Sequence, residues 1–244
     1  AAYGLRKNQN GVLIIKVFDG SPTDGTFEEN DVIMKIDNFD IAEDGTIQLS
    51  DDVLTDYKHA IDMHHIGDEV LVTYSRNGKE AVAKIKADAP PESYSLVKGE
   101  QFDQIPKYYI YGGVLFVPLN MNLIKRWGND WGRSAPVTLL QARNEWVSPE
   151  KHEVVVALQV LAADVNLGYH DWRNWIVDDV NGEQIRDFEH FSQIVRNNTQ
   201  ENIVLENKNG YQMVINHRAA ISSEAAILAQ YRIPAAFSTG LFPE

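Results

Sequence analysis

The chain has 244 residues, no cysteine, and 35 acidic against 22 basic residues, a net charge of −13. At about 100–200 residues per domain this length suggests one or two domains, and 44% hydrophobic with 10% aromatic residues is enough to build a core, so general disorder is excluded. The absence of cysteine removes disulfides, thiolate metal sites and cysteine nucleophiles together. The acidic balance argues against nucleic acid as a partner. The longest apolar runs, Val12–Val17 and Val154–Val165, are too short or too interrupted to span a bilayer. No basic-then-apolar leader opens the chain. Its start at Ala1-Ala2-Tyr3-Gly4, without an initiator Met, is the start expected of a processed product or an excised piece.

In chain order, Gly11-Val12-Leu13-Ile14-Ile15-Lys16-Val17-Phe18 reads as a strand buried on both faces. Asp19-Gly20-Ser21-Pro22 is a turn cluster, and Asp31–Asp37 a second strand. Val53, Leu54, Tyr57, Ile61 and His65 fall at helical spacing, which predicts an amphipathic helix over about 52–65, with Asp51-Asp52 at its N-terminus and Gly67 ending it. The strands 70–74 and 81–85 flank Asn77-Gly78, a hairpin signal. Ala89-Pro90-Pro91 opens a stiff, polar linker over 89–107.

The second half repeats the order strand, loop, strand, helix, hairpin. Glu153–Leu161 and Trp175–Val180 are its strands, Asn181-Gly182 stands where the first half has Asp37-Asn38, and Phe188, Phe191, Ile194 and Val195 mark a helix over 187–197. Ile203–Glu206 and Tyr211–Ile215 flank Asn209-Gly210 as a second hairpin. The extra material is Tyr108–Leu119, one or two short helices within Asn122–Arg143, and a last helix over Ser222–Tyr231 that stops at Pro234.

Several motifs carry a resemblance. Asp31-Val32-Ile33-Met34-Lys35-Ile36-Asp37 and Ala42-Glu43-Asp44-Gly45-Thr46 occur in the first half. Tyr109-Ile110-Tyr111-Gly112-Gly113-Val114-Leu115-Phe116-Val117-Pro118-Leu119 opens the second. Gln159-Val160-Leu161-Ala162-Ala163-Asp164-Val165-Asn166-Leu167-Gly168-Tyr169 and Ile227–Pro234 follow. The chain resembles the tandem PDZ region of Deg/HtrA-family serine proteases, in the branch of plant nuclear Deg proteases and bacterial relatives. The resemblance implies an α+β, β-rich fold: two PDZ-like domains, each a partly open antiparallel barrel or sandwich capped by helices, over 1–88 and 108–244. It also places the carboxylate-binding loop of the first domain upstream of this chain; the competing view takes Tyr3-Gly4-Leu5 as that loop. The parent would cut misfolded or regulatory proteins with a Ser-His-Asp triad, in the periplasm of a bacterium or the nucleus of a plant, and would assemble as a trimer or a larger cage. This chain has no G-[ND]-S-G-G-P motif and would recognise peptide or unfolded-protein segments or assemble the oligomer without catalysing. A self-standing tandem PDZ scaffold is the alternative.

PDZ domains bind an extended peptide at a sheet edge and hold its carboxylate in a glycine-containing nest. On that pattern Gly112, Gly113, Val114, Leu115 and Phe116 would form the nest and edge strand, with His190 and Ile194 on the opposite helix and Phe188 and Phe191 nearer the core. A buried turn with no ligand, or an edge that is already occupied, is the competing reading. Trp127 and Trp131 are candidates for an oligomer interface, against packing on their own domain. His59, His64 and His65 lack metal-ligand spacing, and Glu28, Glu29, Asp31, Asp51 and Asp52 form no Ca²⁺ loop, so neither a metal nor another cofactor is expected.

Overall fold

The computed structural model describes residues 3, 5–6, 9–88 and 91–242, so Gly4 of the Tyr3-Gly4-Leu5 reading and Ala89-Pro90 of the linker lie outside the described residues. The chain divides into two compact units, Ala1–Tyr94 and Ser95–Glu244. No described helix is long and apolar enough to cross a membrane.

The first unit is built on an antiparallel sheet. Its order is β1 (Val12–Leu13), β2 (Val32–Ile36), β6 (Glu69–Arg76), β7 (Lys79–Lys86), and β3 (Phe39–Asp40) pairs with β2. Asp37-Asn38 and Asn77-Gly78 make two-residue turns, and Asp37, Asn77 and Gly78 all have positive φ (48°, 52° and 79°). These are the residue types that tolerate that region. The first predicted strand is shorter than expected. Only Val12–Leu13 pairs regularly, and Ile15 is 82% exposed. An apolar run is buried on both faces only with a layer on each side and, at an edge, a covering element; this strand has a sheet partner on one side alone among the described residues.

The predicted helix over 52–65 is also different. Val53–Asp56 is a strand (β5) paired with β4 (Thr46–Ser50), Asp51-Asp52 is the turn between them, and the helix α1 covers only Lys58–Asp62. A strand followed by one helical turn brings the same apolar residues to the core, and β-branched Val53 and Thr55 favour the strand. The core gathers Phe27, Ile36, Ile41, Ile47, Val70 and Val72.

One buried charge organises this unit. Asp31 is 1% exposed. It accepts from Arg76 Nε at 2.9 Å and Arg76 Nη2 at 2.7 Å, and from the Glu28 amide at 2.9 Å. Arg76 also donates to Glu28 and to the Thr26 carbonyl, so the pair fastens the 26–31 loop to the end of β6.

The second unit has two open sheets. One runs β11 (Arg173–Val177), β10 (Val155–Val160), β9 (Val114–Pro118), β8 (Tyr109–Tyr111). The other runs β13 (Glu183–Gln184), β12 (Asp179–Val180), β14 (Asn202–Glu206), β15 (Gln212–Asn216). The run Trp175–Val180 is therefore two strands in different sheets, with Asp178 at the corner. Its carboxylate meets Lys151 Nζ at 2.7 Å and the Lys208 amide at 2.9 Å. Between the sheets lies the main core, with Phe116, Val155, Val177, Ile203, Leu205 and Met213. The helices α5 (Phe188–Arg196) and α6 (His217–Tyr231) add to it. The side chains of Asp187 and Asn216 cap their first turns. The other face of the first sheet carries Val117, Val154, Val156 and Ile176 and is covered by three short helices, α2 (Met121–Lys125), α3 (Trp131–Ser134) and α4 (Val137–Ala142). Leu96 and Val97, from the predicted linker, are buried in that layer.

Burial pushes the Asp31 carboxyl up, but the Arg76 hydrogen bonds and the Glu28 amide outweigh it and hold it below the usual carboxylate range. A depressed folded-state pKa stabilises above the unfolded value of about 3.9 and is lost as pH falls through the folded value. The first unit is therefore expected to lose this contribution only below about pH 4. Asp31→Ala is expected to cost about 2–3 kcal/mol and to remove that acid-sensitive component. All five tryptophans (127, 131, 146, 172 and 175) lie in the second unit, so calorimetry rather than tryptophan emission reads the change.

Candidate peptide-binding site

The β8–β9 hairpin closes through Gly112-Gly113, between the paired residues Tyr111 and Val114. Both glycines have positive φ (56° and 80°), as a two-residue hairpin turn requires. The turn is buried rather than open. A Cβ on Gly112 would lie 2.8 Å from Ile215 Cγ2, and one on Gly113 would lie 2.5 Å from Asn166 Nδ2 and 2.7 Å from the Leu161 carbonyl. Asn166 is completely buried. Its Nδ2 donates to the Gly112 carbonyl (2.8 Å) and the Leu161 carbonyl (2.9 Å), and its Oδ1 accepts from the Ala163 amide (3.0 Å). The Leu161 amide donates to the Gly113 carbonyl at 2.7 Å. Both turn carbonyls are therefore spent inside the fold.

Val114 and Phe116 are completely buried on the main core, where Phe116 meets Phe191 with ring centroids 4.7 Å apart. Leu115 faces the other way, against Ile110, Leu161 and Ile227. β9 is hydrogen-bonded to β8 on one side and β10 on the other. It has no free edge along Val114–Phe116. Helix α5 packs into the same core through Phe188, Phe191 and Val195. His190 Nε2 lies 3.1 Å from Glu183 Oε1, and its Nδ1 accepts from the Arg186 amide at 3.3 Å. Ile194 packs half-buried on the core. Val114, Phe116 and Ile194 thus meet in the main core, while Leu115 and His190 lie outside it.

The outer edge of β8 is where an extended segment does add. The Ile110 amide donates to the Ala236 carbonyl (2.6 Å), and the Ser238 amide to the Tyr108 carbonyl (3.0 Å). The Tyr108 amide donates to Ser238 Oγ (3.2 Å), and Tyr109 and Phe237 form an antiparallel bridge. Ala236 and Ser238 are buried and Phe237 is exposed. Beyond them Leu241 is buried in the core, Phe242 packs edge-on to Tyr109 at 5.4 Å, and the Arg196 guanidinium lies 4.3 Å above the Phe242 ring. Burial pushes the Tyr109 phenol up to about 12 and the Tyr111 phenol higher still; Tyr111 shares a 2.7 Å hydrogen bond with His217 Nδ1. The sequence reading missed this pairing and the role of Asn166. The usable signal for the first was the small-aromatic-small pattern Ala236-Phe237-Ser238 just after a Pro. Asn166 stood inside a quoted motif but in a polar loop, where nothing local reports burial.

Trp127 and Trp131 both pack half-buried on the α2–α4 layer, with the guanidinium of Arg126 5.4 Å and that of Arg143 5.1 Å from their rings. His64 contacts Asp37 at 2.7 Å. The described residues hold no group of three or more His, Cys, Asp or Glu able to bind a metal.

Asn166→Ala leaves two buried carbonyls without donors and one amide without an acceptor. It is expected to cost about 2–4 kcal/mol. Gly113→Ala, forced to φ near 80° against the Leu161 carbonyl, should fall in the same range. Urea denaturation followed by tryptophan emission, which reads this unit, measures both.

Comparison with known proteins agrees with this architecture. One PDZ-domain family profile matches residues 97–240 and a second PDZ-domain profile matches residues 3–87. Protease Do-like 4, mitochondrial, of Arabidopsis thaliana is 30% identical over 96% of this chain and 42% of its own length. The putative protease Do-like 11, mitochondrial, of the same plant is 25% identical over 97% of this chain and 37% of its own length. A serine protease DegP homolog of Plasmodium falciparum is 25% identical over 78% of this chain and 21% of its own length. The chain thus spans less than half the length of the curated relatives it matches. It belongs to the PDZ-domain family and carries two PDZ domains in tandem, homologous to the PDZ regions of Deg/HtrA (Do-like) proteases.

Proposed function

We propose that this chain is the peptide-recognition region of a Deg/HtrA-type serine endopeptidase that acts in protein quality control or regulated proteolysis. The observation that carries the reading is the pair of PDZ matches, which account for residues 3–87 and 97–240 and leave no length for a protease domain, beside relatives that are proteases more than twice as long. The chain then selects segments and the parent cuts them. β-Augmentation supports the selection step, since main-chain pairing supplies affinity with little demand on sequence.

In the second domain the β8 edge is the supported place for such pairing. It already holds residues 236–238 as an added strand, and its neighbouring pockets already accept Leu241 and Phe242. In the first domain β1 and β7 are the outer strands of the sheet. β7 carries Lys79, Lys84 and Lys86, charges that discourage edge-to-edge aggregation. Self-association of the parent through the helical layer around Trp127 and Trp131 belongs to the same proposal. Sedimentation of the chain at high concentration tests it, and a monomer throughout would remove it.

A chain ending at Ile233 is expected to bind a synthetic peptide of residues 234–242 and to recover thermal stability when it is added, while mass spectrometry finds the peptide uncut. A folded truncated chain that ignores the peptide would remove the β8 edge from the proposal. Cleavage would overturn the non-catalytic reading.

A further inference from the structure

A further surface of the second domain lies beside its helical layer. A cleft of about 350 Å³ opens beside α2, between the β9–β10 surface and the chain 98–107. Leu119, Leu123 and Leu158 give it an apolar floor, and Lys98, Lys107 and Arg126 stand around it. A second cleft of about 220 Å³ shares Arg126 and Leu158 and extends the surface to His170 and Arg173. In a chain of net charge −13, this concentration of cations is a local reversal. Lys107, Arg126 and Arg173 form no salt bridge among the described residues. Glu153, the acidic residue among the cleft's lining, accepts from the Phe188 amide at 3.0 Å; the wall 98–107 also carries Glu100, bonded to Lys125, and Asp103.

The cleft wall has a second unusual property. Residues 98–101 are tied to α2: the Met121 amide donates to the Lys98 carbonyl, and the Asn122 side chain bonds both the amide and the carbonyl of Gln101. Residues 102–107 make no hydrogen bond to any described residue, and Phe102 and Ile105 are 79% and 81% exposed. A stretch of backbone that bends at 102–104 and carries Pro106, which has no N–H, thus borders the cleft with its remaining donors and acceptors unspent. Unspent backbone groups pair with an added strand, and unpaired cations select anionic side chains.

We propose that this cleft binds an extended peptide segment in which apolar and acidic residues alternate. Its apolar side chains seat on Leu119, Leu123 and Leu158. Its carboxylates meet Lys107 and Arg126, and its backbone pairs with the unspent groups of 105–107, beyond the bend at 102–104. The class of ligand rests on the peptide-recognition reading above; the location and the charge preference do not.

The probe is a fluorescein-labelled, C-terminally amidated peptide Glu-Leu-Asp-Val-Glu-Leu-Asp-Leu. Its counterpart has Gln and Asn in place of the acids. Anisotropy with the full chain is expected to show binding that weakens by at least about tenfold between about 0.05 M and 0.5 M salt. The amide counterpart should bind at least about tenfold more weakly than the acidic peptide. Hydrogen exchange at 102–107 should slow on binding. Arg126 and Lys107 are exposed, so the double variant Arg126→Glu/Lys107→Glu should fold normally, lose at least about tenfold in affinity for the acidic peptide, and gain affinity for a Lys-substituted one. Unchanged affinity in that variant, or unchanged exchange at 102–107, overturns the proposal. If the acidic peptide fails while the 234–242 peptide binds the truncated chain, only the cleft assignment falls. If neither binds, peptide recognition falls, and this inference with it.

Discussion

The second domain depends on Asn166. With no exposure to water, its amide joins the carbonyl of the β8–β9 turn to the carbonyl that ends β10, while its oxygen holds the Ala163 amide. A buried amide satisfied at both ends is a rigid joint, because any displacement leaves polar groups unpaired at a cost of about 1–3 kcal/mol each. That joint sets where the hairpin turns. Gly112 and Gly113 are required there for two independent reasons: both have positive φ, and neither site has room for a Cβ. A fixed hairpin in turn fixes β8 as the next edge of the sheet, and β8 is where residues 236–238 add.

The sheet β11-β10-β9-β8 is consequently covered on one face, on part of the other, and along the edge at β8. The second sheet and helices α5 and α6 cover one face, and α2–α4 cover part of the other. The uncovered remainder of that second face is the cationic cleft. Two places in this domain therefore stand out, the β8 edge, which holds a segment of the chain itself, and the cleft, around which Lys107 and Arg126 form no salt bridge among the described residues. The two differ in chemistry. The β8 edge offers main-chain pairing with small and aromatic side-chain pockets, whereas the cleft adds charge selection.

The first domain relies on a different joint. Asp31 and Arg76 connect a loop to the end of a long strand, and the carboxylate is buried with its hydrogen bonds filled. With Arg76 half-exposed and Asp31 buried, the pair holds the loop in place while its cation stays in reach of water. In the second domain Asp178 does a related task at the corner between sheets, where Lys151 and the Lys208 amide compensate its charge.

Elements whose determinants are local were legible. Asn77-Gly78 and Asn181-Gly182 each close a two-residue turn. The helix marked by Phe188, Phe191, Ile194 and Val195 runs from Phe188 to Arg196, because one amphipathic face and a capping Asp187 act within a few residues. The internal repeat, with the motifs around Gly112-Gly113 and Asn166, carried the family. Local pattern failed where burial depends on distant chain. Val53 and Leu54 satisfy a helical period, yet pairing with β4 makes them a strand. Trp175–Val180 reads as one strand, yet two sheets divide it at Asp178. Whether Val114–Phe116 presents an open edge was also undecidable, since β8 and β10 both claim it. The motifs carried the resemblance to tandem PDZ domains, and the repeat and the turns were readable beside them, because φ preferences and short-range periodicity are properties of adjacent residues. Which edges are closed was settled by the fold alone, because it depends on backbone groups about a hundred residues apart competing for the same hydrogen bonds.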